Sequence, residues 1–311
     1  MEEKKLTPMK FLPEQLETPW GSMEYKLADL GFVDSLCGEG WLSGNNLSDI
    51  MQTYLERVVG ENAFEWYGTQ FPVLVKRLQV KGRSSLHVNP DDETAAQRYD
   101  AFGKLALWYV EAAGPQAKLF LGFKRPVQAA RFYEACREGT VEELLHTVKP
   151  QAGELYLVRP GLVHAAQDVT LLEVAEASEL GFRLYDWGSP ERESHLEEAF
   201  DLVDFSAWRK ADTAVSDAVV TEAFSARMLP LDQALRSRRE PDDCFLLYIG
   251  LRGTAVLRAD GKSYDIQTGE VLLVPAEVGG FDLLPSGKDV CLLEVRIDPR
   301  QAEENEDQES I

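Results

Sequence analysis

The stretch "GELYLVRPG" at residues 153–161 returns at 269–277 as "GEVLLVPAE". Each copy opens with Gly-Glu, continues with four apolar or aromatic residues, and meets a proline at or near its end. A glycine turn feeding a short apolar run predicts a tight turn into a buried strand. The same device used twice predicts two related β-barrels in tandem. Four residues past Pro160 stands His164, whereas four past Pro275 stands Gly279. If the copies correspond, only the first could hold a metal or do histidine chemistry, and all four histidines precede residue 196.

Working outward, "FPVLVKRLQV" reads as a buried strand. "LALWYVEAA" and "AKLFLGF" read as two strands around a turn at "GPQ". "NNLSDIMQTYLERVVG" has helical spacing, follows capping candidates and stops at Gly60. "VQAARFYEACREG" and "TVEELLHTV" read as short amphipathic helices, which puts His146 on a helix. "VTLLEVAEAS" and "GFRLYDWG" are short strands. The block from Phe245 to Ile297 is strand-rich and regularly broken by Gly, Asp or Pro, as in a sandwich or barrel. The fold class is mainly β with helical insertions. The expected organisation is an N-terminal domain at 1–188 with a helical insertion, a charged connector at 189–204 that carries His195, a C-terminal domain at 205–300 without metal ligands, and a disordered acidic tail at 301–311.

The chain has 311 residues, a 44% hydrophobic composition and a formal net charge of −21. Such an acidic balance argues against nucleic acid and anionic membranes as partners, because both demand basic surface. No apolar run reaches the roughly 20 residues of a membrane helix. The N-terminus lacks the apolar core of a signal peptide, and a cytoplasmic location is expected. The four cysteines, Cys37, Cys136, Cys244 and Cys291, form no C-x-x-C pair, which predicts free thiols.

"SSLHVNPDD" at 84–92 places His87 and Asn89 two apart, so in a strand they share one face. His87 and His164 are the pair expected to converge. Either a metal or ordinary hydrogen bonding accounts for each of them alone. Lys76 interrupts an apolar strand, Lys104 precedes another, and Arg183 sits between aromatics. Three cations inside one barrel would form a local anion site suited to a phosphate.

The ordered series "FPVLVK", "SSLHVNPDDE", "FGKLALWYV", "GELYLVRPGLVHA" and "LLEVAEASELGFRLYDWG", followed by a second barrel, resembles the type I mannose-6-phosphate isomerases, most of all the short bacterial form. The resemblance runs from about Trp20 to Ile297 and implies a tandem cupin fold. It implies a zinc ion in the first cupin, at positions that read Gln, His, Glu and His in the resembling enzymes. Here those positions are His87, Asn89, Ala106 and His164. It also implies that Lys76, Ser85 and Lys104 line a sugar-phosphate pocket, that Glu173 is a pocket carboxylate and that Arg183 has a catalytic role.

The family reaction interconverts mannose 6-phosphate and fructose 6-phosphate through an enediol, which needs a base near the moving proton and positive charge near the oxyanion. Zinc favours Cys, His and carboxylate donors. Asn89 offers only a neutral carbonyl oxygen and Ala106 offers nothing. Weak or absent binding of zinc or another divalent metal is therefore expected at His87 and His164. A mannose-6-phosphate isomerase-like activity is one reading. The alternative is a non-catalytic sugar-phosphate-binding regulatory protein, which senses the sugar phosphate or regulates a protein partner.

Overall fold

A computed structural model of the chain describes residues 4–189, 192–240 and 243–297. The acidic segment 301–311 lies outside the described residues. The chain divides into two compact units, one formed by residues 15–25 and 73–216, the other by 1–14, 26–72 and 217–311.

The 15–25/73–216 unit is built on a ten-stranded sheet. At its centre the strands Leu155–Val158, Ala106–Phe123, His164–Glu176 and Val73–Arg83 lie side by side, all neighbours antiparallel. Successive side chains alternate across a strand. Leu119 and Leu121 therefore join one apolar cluster, with Trp108, Val158 and Leu171, while Phe120 joins another, with Leu86, Phe132 and Phe182. The helix Ala129–Glu138 covers that second face through Phe132, Ala135 and Cys136. Leu196, Ala199 and Val203, from the stretch read as a connector, are buried in the same cluster. The only regular structure at the end of that stretch is the short 3-10 helix Phe200–Leu202.

Two local expectations are corrected. Residues 106–123 form one strand, not two around a turn. Opposite them, the register jumps from Val169↔Ala113 to Gln167↔Lys118, so "GPQ" is a bulge. Asp168 fills it, accepting the Gln116 N–H at 2.8 Å. A Cβ on Gly114 would stand 2.2 Å from the Asp168 carboxylate, so only glycine permits the approach. The second correction concerns "TVEELLHTV". It makes a 3-10 turn at Val141–Glu143 and then the strand Leu145–Val148, because its apolar residues pair with the edge of Ala106–Phe123. His146 is thus on a strand.

The other unit holds a five-stranded sheet (Ala218–Val220, Ser225–Pro230, Cys291–Arg296, Leu246–Arg252, Val271–Val274) and a four-stranded one (Leu235–Arg238, Gly280–Pro285, Thr254–Ala259, Lys262–Gln267). Tyr248, Leu272 and Leu292 from the first pack with Leu257, Ile266 and Leu283 from the second, which makes a sandwich. The helices Leu47–Tyr54, Glu56–Val59 and Glu61–Tyr67 belong to this unit by their contacts. The "NNLSDIMQTYLERVVG" run does end at Gly60, but it breaks at Leu55, whose φ is 51°.

The repeat is real in atomic detail. Gly153 (φ 93°) and Gly269 (φ 82°) both take the left-handed region. In each copy the following glutamate folds back. The Glu154 carboxylate accepts the Gln151 N–H at 2.8 Å, and that of Glu270 accepts the Gln267 N–H at 2.9 Å. Each turn then feeds a fully buried four-residue strand, Leu155–Val158 or Val271–Val274.

Candidate functional site

His87, on the strand Leu86–Val88, is the direct cross-strand partner of His164 at the start of His164–Glu176. Their ring centroids are 6.4 Å apart. The Nδ1 of each lies against the carbonyl two residues back, Ser85 at 2.9 Å and Leu162 at 2.8 Å. A carbonyl only accepts, so each Nδ1 carries the proton and each Nε2 keeps its lone pair. Burial, and then the facing His164, pull His87 down to about 3. Burial takes His164 to about 4. Two neutral imidazoles therefore face each other at neutral pH.

Further along the same strand, Glu173 lies in register between Lys76 and Trp108. Its Oε2 accepts the Trp108 indole N–H at 2.7 Å, and its Oε1 stands 3.0 Å from the Lys76 ammonium and 3.6 Å from that of Lys104. Glu179 closes the cluster, at 2.5 Å from Lys76, 2.8 Å from Lys104 and 3.0 Å from the Tyr25 hydroxyl, which donates to it. Burial opposes the charge on Glu173, but Lys76, Lys104 and the indole outweigh it and hold the carboxyl well below the usual range. Burial likewise opposes Glu179, and Lys104 and Lys76 bring it down to about 2. Burial acts to lower Lys76, yet Glu173 and Glu179 hold its ammonium above the ordinary value. Two ammoniums and two carboxylates compensate one another, as buried charges must.

Ser85 donates its hydroxyl to Asp186 at 2.7 Å, and Asp186 is held by Arg192 at 2.6 Å. Arg183, cross-strand partner of His87, donates to the Ser85 hydroxyl at 3.3 Å and to the Glu193 carbonyl at 2.9 Å. The expected trio of cations does not form one anion site. Lys76 and Lys104 are matched by carboxylates, and Arg183 is braced separately, although both Lys104 and Arg183 add to the lowering of His87.

The four positions implied for zinc can now be tested. His87 and His164 present two imidazoles. Asn89 is buried and donates its amide to the Lys104 carbonyl at 3.2 Å. Ala106 is buried in the apolar cluster around Trp108 and brings no donor. Among the described residues no three His, Cys, Asp or Glu side chains stand together as a metal site. A tetrahedral zinc with three protein donors does not fit this set.

The remaining histidines make other contacts. His146 stacks on Trp208 with centroids 3.8 Å apart. His195 sets its backbone N–H on the Arg183 carbonyl at 2.7 Å and its ring against Phe182 at 6.2 Å. Sequence reading missed Glu179, Tyr25, Asp186 and Arg192, whose roles arise only when distant segments meet. It also missed a legible signal, since "LLEV" occurs at 171–174 and again at 292–295, and so pairs Glu173 with Glu294.

Two β units linked by a shared turn-and-strand device, with an ionised cluster on one face of the first, define a tandem cupin protein. No family model matches the chain. It is 24% identical to mannose-6-phosphate isomerase ManA of Bacillus subtilis over 311 aligned positions, which cover 89% of this chain and 95% of that protein. Its fold matches the crystal structure of the mannose 6-phosphate isomerase from Bacillus subtilis with a TM-score of 0.80 at 21% identity, over 94% of this chain and 100% of that one. A holo, zinc-bound mannose 6-phosphate isomerase matches with a TM-score of 0.73 at 14% identity, over 94% of this chain and 99% of that one. The chain is similar to mannose-6-phosphate isomerases over most of its length and shares their fold. No helix among its described residues is long and apolar enough to cross a membrane.

Proposed function

We propose that the first unit binds mannose 6-phosphate and fructose 6-phosphate and that their aldose–ketose interconversion is the reaction its pocket is organised around, without the complete zinc set of the family. What carries the reading is the gathering of Lys76 and Lys104 around Glu173, which stands on the strand that begins at His164, in one buried cluster. In this reading Lys76, Ser85 and Lys104 hold the substrate, while Glu173 and Arg183 act on it. The ammoniums would favour negative charge on an enediol oxygen. Glu173 is ionised throughout the neutral range, so it is always able to accept a proton. Its depressed basicity makes it a weak base, because proton transfer is best matched near the working pH. Slow turnover follows from these two facts together.

A second reading has its own support. Asn89 and Ala106 remove two donors, which favours a protein that binds the sugar phosphate without converting it. A coupled assay with mannose 6-phosphate, run with added zinc and with EDTA, beside a thermal shift with the same ligand, separates the two. Turnover that survives EDTA supports the isomerase. A raised melting temperature without turnover supports the binding protein. Neither turnover nor shift overturns both.

A further inference from the structure

The second unit repeats the charged motif of the first. Glu294 lies in register between Arg227 and Tyr248, as Glu173 lies between Lys76 and Trp108. The Tyr248 hydroxyl donates to Glu294 Oε2 at 2.8 Å, as the Trp108 indole donates to Glu173 Oε2 at 2.7 Å. Arg227 Nε stands 2.6 Å from Glu294 Oε1, in the place of the Lys76 ammonium. Each unit thus sets one carboxylate between a cation and an aromatic donor, on the strand that carries "LLEV". This unit has no histidine.

Beside Glu294 opens a cavity of about 170 Å³ lined by four arginines, Arg227, Arg238, Arg239 and Arg296, and by the carboxylates of Asp243 and Glu294. Four positive against two negative groups leaves an excess of two positive charges, in a chain whose formal net charge is −21. Arg238 and Arg296 form no ion pair among the described residues. The Arg239 side chain is only 3% exposed and stands 3.7 Å from Asp243. Its Nη2 donates to the Cys244 carbonyl, while its Nη1 is buried with no hydrogen-bond partner among the described residues. Burial pulls its basicity below the ordinary guanidinium value, against the opposing pull of Asp243.

We propose that this cavity is a second, metal-independent ligand site for a phosphoryl group, held by the guanidinium forks of Arg239, Arg238 and Arg296. A guanidinium presents paired N–H donors that match phosphate oxygens. A bound dianion would supply the partner that Arg239 Nη1 lacks and would balance the excess charge of the lining. Arg227 is already matched by Glu294 and serves as the wall of the site.

Calorimetric titration of the full chain with inorganic phosphate, at fixed ionic strength, tests this. The wild type is expected to bind, and an Arg238→Gln/Arg296→Gln double variant to lose this bound phosphate or to hold it roughly tenfold more weakly, since its charge-assisted hydrogen bonds are gone. Both positions are exposed, so the fold should survive, and circular dichroism checks that it does. An unchanged titration in the folded double variant, as from phosphate held only in the first unit, overturns the proposal. So does the absence of any binding to the wild type.

Discussion

Glu173 and Glu294 hold the same position in their two units, each accepting a hydrogen bond from an aromatic side chain on one neighbouring strand and facing a cation on the other. The surroundings differ. Lys76 beside Glu173 is 4% exposed, whereas Arg227 beside Glu294 is 54% exposed. One duplicated motif therefore makes a closed ion cluster in the first unit and the wall of an open cationic cavity in the second.

That contrast sets the first prediction. Glu173→Gln leaves two buried ammoniums with one carboxylate and should destabilise the fold by about 3 kcal/mol, the order found when a buried pair is broken. Glu294→Gln should cost clearly less, because Arg227 can take water instead. Urea denaturation of both variants measures the difference, and equal losses would contradict it.

The shared turns set a second. Gly153→Ala and Gly269→Ala meet no atom within 4 Å of the added carbon, so their cost is the left-handed backbone alone. Each should lose about 1 kcal/mol. A loss confined to one copy in the same denaturation experiment would mean that the turns are not equivalent.

The turns were legible in the sequence because a Gly-Glu turn and an apolar run are local signals. So were His87, His164, Lys76, Lys104 and Glu173 as residues worth attention. Their charge balance was not, because Glu179 reaches the cluster from a loop beyond the end of its strand, and nothing local announces that. Residues 106–123 misled because Gly and Pro usually mark a turn, while here Asp168 on the neighbouring strand stabilises a bulge. His146 misled because the helical spacing of "TVEELLHTV" is too short to outweigh pairing with a long strand.

The third prediction concerns pH. The carboxyl of Glu179 lies at about 2 in the folded chain, below its ordinary value of 4.5. A depressed carboxyl contributes stability that is fully present above the unfolded value and lost as pH falls through the folded one. Between about pH 4.5 and 2 the unfolded chain binds roughly one more proton at this residue. Stability should therefore fall less steeply over that range in Glu179→Gln than in wild type. Parallel pH profiles for the two proteins would contradict the assignment.

A fourth follows from the thiols. Burial pushes Cys136 up to about 12, and Cys37, Cys244 and Cys291 are buried as well. A buried thiol, with little thiolate and little access, reacts slowly. A disulfide reagent at pH 8 should label none of the four cysteines in the native protein and all four after unfolding in denaturant. Rapid labelling of the native chain would refute this.

The central proposal is that the first unit holds a hexose 6-phosphate without a zinc ion, since His87 and His164 are the only imidazole or carboxylate donors at the four implied positions, and no group of three such donors stands together among the described residues. Calorimetric titration of the EDTA-treated protein with mannose 6-phosphate tests it most directly. The account predicts binding that is unchanged by added zinc and weakened in a Lys76→Met/Lys104→Met variant. Binding that appears only when zinc is restored, with one zinc retained per chain, would contradict it.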